Sequence, residues 1–197
     1  MRDLTEKTLG CQRAFEGRAL TIDIVDIEMP NGRRSKREII RHRGAVVVLG
    51  RRPDGRFILV RQYRRAIEQT LLEVVAGGVE IGENPDDAAR REMVEESGYL
   101  VKSLTKLGVT VAIPGTSEEM HHHYFAELAA EPQEQDPDFD ENLEPIAMTA
   151  EEIEAAIDTG ALFDAKSIVI WYLWRRKQKL CTCACSCSDE GSSCGCK

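Results

Sequence analysis

Gly77-Gly-Val-Glu-Ile-Gly-Glu-Asn-Pro-Asp-Asp-Ala-Ala-Arg-Arg-Glu-Met-Val-Glu-Glu-Ser-Gly-Tyr99 is the stretch that decides the fold. Its first third, Gly77 to Glu83, is a glycine-rich loop whose backbone can approach a ligand without a Cβ in the way. A helix follows. Asn84 suits the N-cap, Pro85 the first helical position, and Asp86 and Asp87 place negative charge at the positive end of the dipole. Gly98 is the stop signal. Glu92, Glu95 and Glu96 are three and four residues apart, so they gather on one side of that helix. Like charges so close repel, and the nearby cations are Arg90 and Arg91. Hard carboxylate oxygens in such a set suit Mg²⁺ or Mn²⁺, ions that keep several waters and bridge phosphates. Ala88, Ala89 and Met93 are left to face a core.

A solvated acidic helix face would also carry three glutamates. The whole spacing goes further. Gly77, five residues, Glu83, seven residues, Arg91-Glu92-Met93, one residue, Glu95-Glu96, one residue, Gly98-Tyr99 resembles the Nudix hydrolase box at each of its nine defined positions. The resemblance implies a divalent-metal hydrolase that cuts a nucleoside diphosphate linked to another group. It implies an α/β fold, a Nudix α/β/α sandwich with a mixed sheet, preceded here by an N-terminal antiparallel hairpin.

Outward from the box, the rest of the chain reads as follows. Residues 18–29 alternate as a strand, Asn31-Gly32 is a hairpin turn, and 35–42 is the returning strand. The basic cluster Arg33, Arg34, Lys36, Arg37, Arg41 and Arg43 there fits a charged hairpin edge. Anion binding by one or two of its members is the second reading. Strands are expected at 44–50, 57–63, 71–75, 104–113 and 120–128, with a turn at Pro53-Asp54-Gly55. An acidic loop spans 130–142. Thr149 and Glu152 form a capping box, and Gly160 ends that helix. A last helix is expected from about Asp164 to Leu180. The organisation is thus 1–43, strands and hairpin that mediate dimerisation; 44–180, the hydrolase domain; and 181–197, a disordered cysteine-rich tail.

The resemblance covers roughly residues 14–180. Glu16-Gly17-Arg18, Arg61-Gln62-Tyr63-Arg64, Glu73 followed by Ala76-Gly77, and Pro114 sixteen residues after Gly98 look like the ADP-ribose pyrophosphatase branch. Val75 departs from the proline common there, and GDP-mannose and other nucleotide-sugar pyrophosphatases share much of the pattern. By this resemblance Glu92, Glu95, Glu96 and the Ala76 carbonyl are metal ligands. Arg91 orients the glutamates, Glu83 braces the loop through Arg91, and Glu95 also supports catalysis. A late-loop acid, Glu141 with Asp140 and Glu144 as rivals, completes the catalytic set. Arg64, Glu73 and Pro114 are the substrate-side residues. The implied reaction splits ADP-ribose or a related ADP-sugar into AMP and a sugar phosphate with Mg²⁺. A module that senses such a nucleotide without cutting it is the reading from another class, and the intact glutamate set speaks against it. The branch also implies a homodimer.

Bulk properties bound the rest. The 197 residues suffice for one domain with a real core. The net charge of −8 argues against general nucleic-acid affinity. No run reaches the length of a membrane span and the first fifteen residues lack an apolar signal core, so a cytoplasmic protein is expected. His121-His122-His123 lies on a strand, where at most His121 and His123 share a face, and it is read as structural. Cys11 is read as a buried or idle thiol. The other six cysteines fall within residues 181–196, and their close spacing resembles metallothionein-type sequence. Such thiolates suit Zn²⁺ or Cu⁺ rather than Mg²⁺.

Overall fold

The computed structural model describes residues 2–135 and 142–185. Two sheets and three helices form the fold. The smaller sheet holds β1 (Lys7–Glu16), β2 (Thr21–Glu28) and β3 (Arg34–Arg41) in that order, all antiparallel. The expected hairpin is therefore β2–β3, and β1 is an added strand. β1 is exposed along nearly its whole length, so it carries no apolar alternation to read.

The larger sheet has six strands in the order β7-β8-β4-β6-β5-β9. These are β4 (Ala45–Arg51), β5 (Phe57–Arg64), β6 (Gln69–Gly78), β7 (Val101–Val111), β8 (Met120–Leu128) and β9 (Leu143–Met148). β4 and β8 run parallel and every other pairing is antiparallel, which makes the sheet mixed. β9 was not legible in the sequence. Pro145 interrupts its pattern, yet the strand sits at the sheet edge, where a missing N–H costs no ladder bond.

β4 explains the layering. Its apolar run Val46-Val47-Val48-Leu49 is wholly buried because both faces are covered. Val46 and Val48 pack with Ala88, Ala89 and Met93 of α1 (Pro85–Ser97). Val47 and Leu49 pack with Ile153 and Ala156 of α2 (Ala150–Asp158) and with Ile170, Trp171 and Trp174 of α3 (Ala165–Cys185). The rings of Trp171 and Trp174 meet Phe57 edge-on at 5.2 and 4.8 Å. The result is one helix on one face of the sheet and two on the other, the expected α/β/α sandwich. Met93 has no exposed surface, and truncating it to Ala would cost about 2–5 kcal/mol.

α1 has the ends its sequence implies. The Asn84 side chain accepts from the Asp86 N–H at 2.9 Å, and Gly98 adopts φ +76° while its N–H closes on the Val94 carbonyl. A Cβ at Gly98 would stand 2.4 Å from the Gln133 carbonyl oxygen, so both the dihedral and the space demand glycine. The capping box of α2 is formed as read. α3 does not stop at Leu180. It continues through Cys185, five residues into the expected tail, because Cys-Thr-Cys-Ala-Cys contains neither glycine nor proline to end it. The remainder of the tail lies outside the described residues.

Candidate active site

The glycine stretch begins as strand. Gly77 and Gly78 close β6, opposite Val46 and Ala45 of β4, and the Val79 N–H bonds to the Gly44 carbonyl. This carries the chain across the sheet edge just where α1 presents its acidic side. Gly77 is needed for space. A Cβ there would lie 2.0 Å from the Glu92 carboxyl carbon. Glu92 and Glu96 are both buried, at 8% and 3% exposure, although both are charged types. Glu96 Oε2 accepts from the Ala76 N–H at 3.4 Å, which ties the last glutamate to the end of β6.

Arg91 organises the rest. Its Nε and Nη2 donate to the two oxygens of Glu83, each at 2.9 Å. Nη1 donates to Glu92 Oε1 and Glu95 Oε2, each at 2.8 Å, and Nη2 also reaches the Gly78 carbonyl at 3.0 Å. One guanidinium thus joins the loop, the strand end and two box glutamates. Hydrogen bonding to Glu83 is the main reason its pKa is raised, and the same bond holds the Glu83 carboxyl below the usual range.

Three carboxylates, Glu83, Glu92 and Glu95, share this single guanidinium, the fourth acid of the set, Glu96, is buried, and all the donors are hard oxygens. That chemistry fits Mg²⁺ or Mn²⁺. Among the described residues no three His, Cys, Asp or Glu side chains converge into a ready cage. Glu92 and Glu95 are instead turned onto Arg91. Glu141 and Asp140 lie outside the described residues. Glu144 is described, and it pairs with Arg61 on the β9–β5 edge at 3.0 Å, with 67% of its side chain exposed.

Beside the box lies a cavity of about 270 Å³ bounded by Ala76, Gly77, Gly78, Arg64 and Lys166, and also by His42, Glu119 and His121. Arg64 lines that cavity. Glu73 does not. It is 1% exposed, with Arg64 Nε and Nη2 each at 2.7 Å and Lys166 Nζ also bonded to it. Burial pushes its pKa up, but Arg64 and Lys166 outweigh that and keep it low. Closed off in this way, Glu73 cannot reach a ligand and instead holds cations. Pro114 is also elsewhere. Its loop lies on the small sheet, where the Ile40 N–H bonds to the Thr116 carbonyl, and it borders a separate cavity with Arg37, Ile39 and Arg41.

The sequence reading missed Lys166. A signal existed: a lysine in the first turn of a helix opposes the dipole, so something else must hold it there. His121 and His123 do share a face, with ring centroids 6.1 Å apart. His121 meets Glu119 at 3.2 Å. His123 is fully buried, bonds Thr110 Oγ1 through Nε2, and has no partner for Nδ1. Burial is the main cause that pushes its pKa down to about 4. Cys11 is exposed rather than buried, with its sulfur 3.6 Å from Asp23.

Comparison with known proteins agrees with this geometry. The NUDIX domain model matches residues 41–169. An ADP-ribose pyrophosphatase of Bacillus subtilis (strain 168) is 38% identical over 168 residues, covering 85% of this chain and 91% of that protein. A GDP-mannose pyrophosphatase of Yersinia enterocolitica (serotype O:8 / biotype 1B) is 30% identical, covering 79% and 85%. A crystal structure of an ADP compounds hydrolase superposes with a TM-score of 0.79 at 24% identity, covering 91% of this chain and 97% of that one, which supports the fold. With the box formed around Arg91 and a domain match over most of its length, the chain belongs to the Nudix family and is a hydrolase of that family.

Proposed function

We propose that the chain hydrolyses the pyrophosphate bond of ADP-ribose or a related ADP-sugar, with Mg²⁺ (or Mn²⁺) as cofactor. The observation that carries this reading is the Arg91-centred carboxylate set packed against the Ala76-Gly77 strand end, which borders a cavity also lined by Arg64. Water attacks one phosphorus, the bridging P–O bond breaks, and the two products are AMP and a sugar phosphate. Glu92, Glu95, Glu96 and the Ala76 carbonyl would hold the metal. Bound there, it would supply charge neutralisation for the pyrophosphate oxygens and a more acidic water. Arg91 keeps Glu92 and Glu95 in place, and Glu83 keeps Arg91 in place. Arg64, anchored by Glu73, offers its remaining donors to phosphoryl oxygens. Glu141 is the acid proposed to complete the catalytic set.

A GDP-sugar is the second reading, favoured by the similarity to GDP-mannose pyrophosphatase. A panel of ADP-ribose, ADP-glucose and GDP-mannose with chromatographic identification of products separates the two. AMP released fastest from ADP-ribose is expected. GMP released fastest from GDP-mannose would overturn the ADP-sugar assignment.

No helix of the described residues is long and apolar enough to cross a membrane, and we place the protein in the cytoplasm. We also propose a homodimer built through residues 1–43. Leu4, Leu9, Phe15 and Leu20 on and beside β1 are 42–76% exposed, an unusual apolar set for a free surface. Light scattering that returns a fully active monomer would remove this idea.

A further inference from the structure

Part of the basic cluster around β3 gathers at a cavity of its own. Arg41 and Arg43 join Arg13 of β1 and Arg18 around a space of about 440 Å³ that is also bounded by Gly78 and Val79. Asp23 of β2 holds two of these arginines. It is 7% exposed, and it accepts from Arg13 Nε at 2.6 Å and from Arg41 Nε at 2.9 Å. The register explains the grip. Arg13 lies directly across from Asp23 in the β1–β2 pair, and Arg41 is the diagonal neighbour in β2–β3, two residues beyond Ile39. Such neighbours share a face of the sheet and stay within reach of long side chains. Glu16 and Glu118 take Nη1 of Arg13 and of Arg41, at 2.6 and 3.0 Å.

These bonds leave donors over. Arg13 Nη2 has no partner among the described residues, and Arg41 Nη2 meets only the Cys11 sulfur, at 3.9 Å. The Arg43 side chain forms no hydrogen bond or ion pair among the described residues. The four arginines outnumber Asp23, Glu16 and Glu118 in a chain whose net charge is −8, so positive charge is concentrated here against the overall balance. A guanidinium matches the oxygens of a phosphate in pairs. The volume lies in the range of small-ligand cavities, which is more than a bare phosphate needs. Its uncharged wall includes Ala19, Thr21 and Val79 and carries no aromatic ring on which a base could stack, so a phosphorylated sugar suits it better than a nucleotide. The cavity shares only His42 and Gly78 with the one beside the box, and none of Ala76, Glu92, Glu95 and Glu96 lines it.

We infer that this cavity is a second ligand site, which binds a sugar phosphate through Arg13, Arg18, Arg41 and Arg43, apart from the reacting bond. Its wall belongs to the glycine loop. The Gly78 carbonyl accepts from Arg91 Nη2 at 3.0 Å, and the Val79 N–H bonds the Gly44 carbonyl at 3.1 Å. A ligand in the cavity meets the loop that Arg91 fastens to the box glutamates, so its occupancy bears on turnover. The inference goes beyond the pyrophosphatase reading and does not depend on it.

The test compares wild type with the double variant Arg18→Ser/Arg43→Ser, neither of whose arginines bonds Asp23, and with Arg43→Lys. Calorimetry in EDTA, which removes metal-dependent binding at the box, measures ribose 5-phosphate and inorganic phosphate. Wild type should bind ribose 5-phosphate, and inorganic phosphate more weakly. The double variant should lose about ten- to hundredfold in affinity, as for lost charge-assisted bonds, and Arg43→Lys should keep part of it. KM for ADP-ribose should stay within about twofold of wild type. At saturating ADP-ribose, added ribose 5-phosphate should change kcat of wild type and not of the double variant. If the double variant does not fold, Arg43→Ser alone gives the same comparison. A folded variant that binds ribose 5-phosphate as wild type does overturns the inference, and so does a wild type that does not bind it. Inorganic phosphate bound as tightly overturns the assignment to a sugar phosphate. A KM that rises in step with the lost affinity overturns the separation, because the cavity then belongs to the substrate cleft. A wild-type kcat indifferent to ribose 5-phosphate overturns the link to the loop. Wild type that binds ribose 5-phosphate yet releases no AMP from ADP-ribose refutes the hydrolytic reading and leaves this site standing.

Discussion

Gly77→Ala separates the fold from the chemistry. The added Cβ would lie 2.0 Å from Glu92 Cδ and 2.1–2.2 Å from its oxygens, where about 3.4 Å or more is ordinary. Gly77 itself has no left-handed dihedral, so alanine suits its backbone. The atoms that must yield are the end of a flexible side chain, and Glu92 must swing away by more than 1 Å. It then loses its 2.8 Å bond to Arg91, worth about 1.5–3 kcal/mol, against which the entropic gain of alanine over glycine offsets about 0.4–1 kcal/mol. The net cost to stability is therefore about 0.5–2.6 kcal/mol, which a domain of this size survives. The cost to function is larger. Moving a reactive group by 1 Å can reduce turnover about a hundredfold, and here the group is a proposed metal ligand. Chemical denaturation should show a folded Gly77→Ala with a modest stability loss, while ADP-ribose hydrolysis falls a hundredfold or more. Gly108→Ala is the control, since its Cβ would meet Leu173 at an ordinary 3.8 Å. A folded Gly77→Ala with near-normal kcat would refute the claim that Glu92 must occupy that place.

Two other outcomes follow from the same structure. His123 is held neutral by burial, with its pKa down to about 4 against 6.5 when free, so the unfolded chain binds the extra proton first as pH falls. This contribution is complete above pH 6.5 and is lost between 6.5 and about 4, up to about 3 kcal/mol, so urea midpoints of wild type should drop over that window more than those of His123→Leu; parallel pH profiles would contradict it. Deleting residues 181–197 should leave Mg²⁺-dependent hydrolysis unchanged, because thiolates are poor partners for that ion, and should remove any Zn²⁺ or Cu⁺ bound by the tail; zinc content unaffected by the deletion would end the tail-metal idea.

Much of this site was legible in the sequence because it is local. Asn84, Pro85 and Gly98 mark the ends of α1, and the i, i+3, i+4 spacing of its glutamates fixes their common side before any tertiary contact is known. Arg91 also lies within a helical turn or two of the acids it gathers. What was not legible depends on distant pairing. Lys166 reaches the cavity because Ser167 bonds Val74, ninety-three residues away in sequence, and no spacing encodes that. Glu73 and Arg64 were both singled out, but that one would be sealed by the other required knowing the β5–β6 register, in which Val60 rather than Arg64 lies across from Glu73. β1 and β9 escaped because one is exposed and the other carries proline, so neither shows the period of a half-buried strand. Pro114 was assigned by its offset from Gly98, and an offset does not say that the loop folds onto β3 instead of toward the box.

The buried acids of α1 are proposed to hold the metal that drives hydrolysis. Glu96→Gln tests it most directly, since it keeps the side-chain volume and an oxygen for the Ala76 N–H while removing the charge. Steady-state turnover of ADP-ribose, titrated with Mg²⁺, should fall by orders of magnitude in a variant whose thermal melt shows the native fold. A folded Glu96→Gln protein that turns over at the wild-type rate at the same Mg²⁺ concentration would contradict the account.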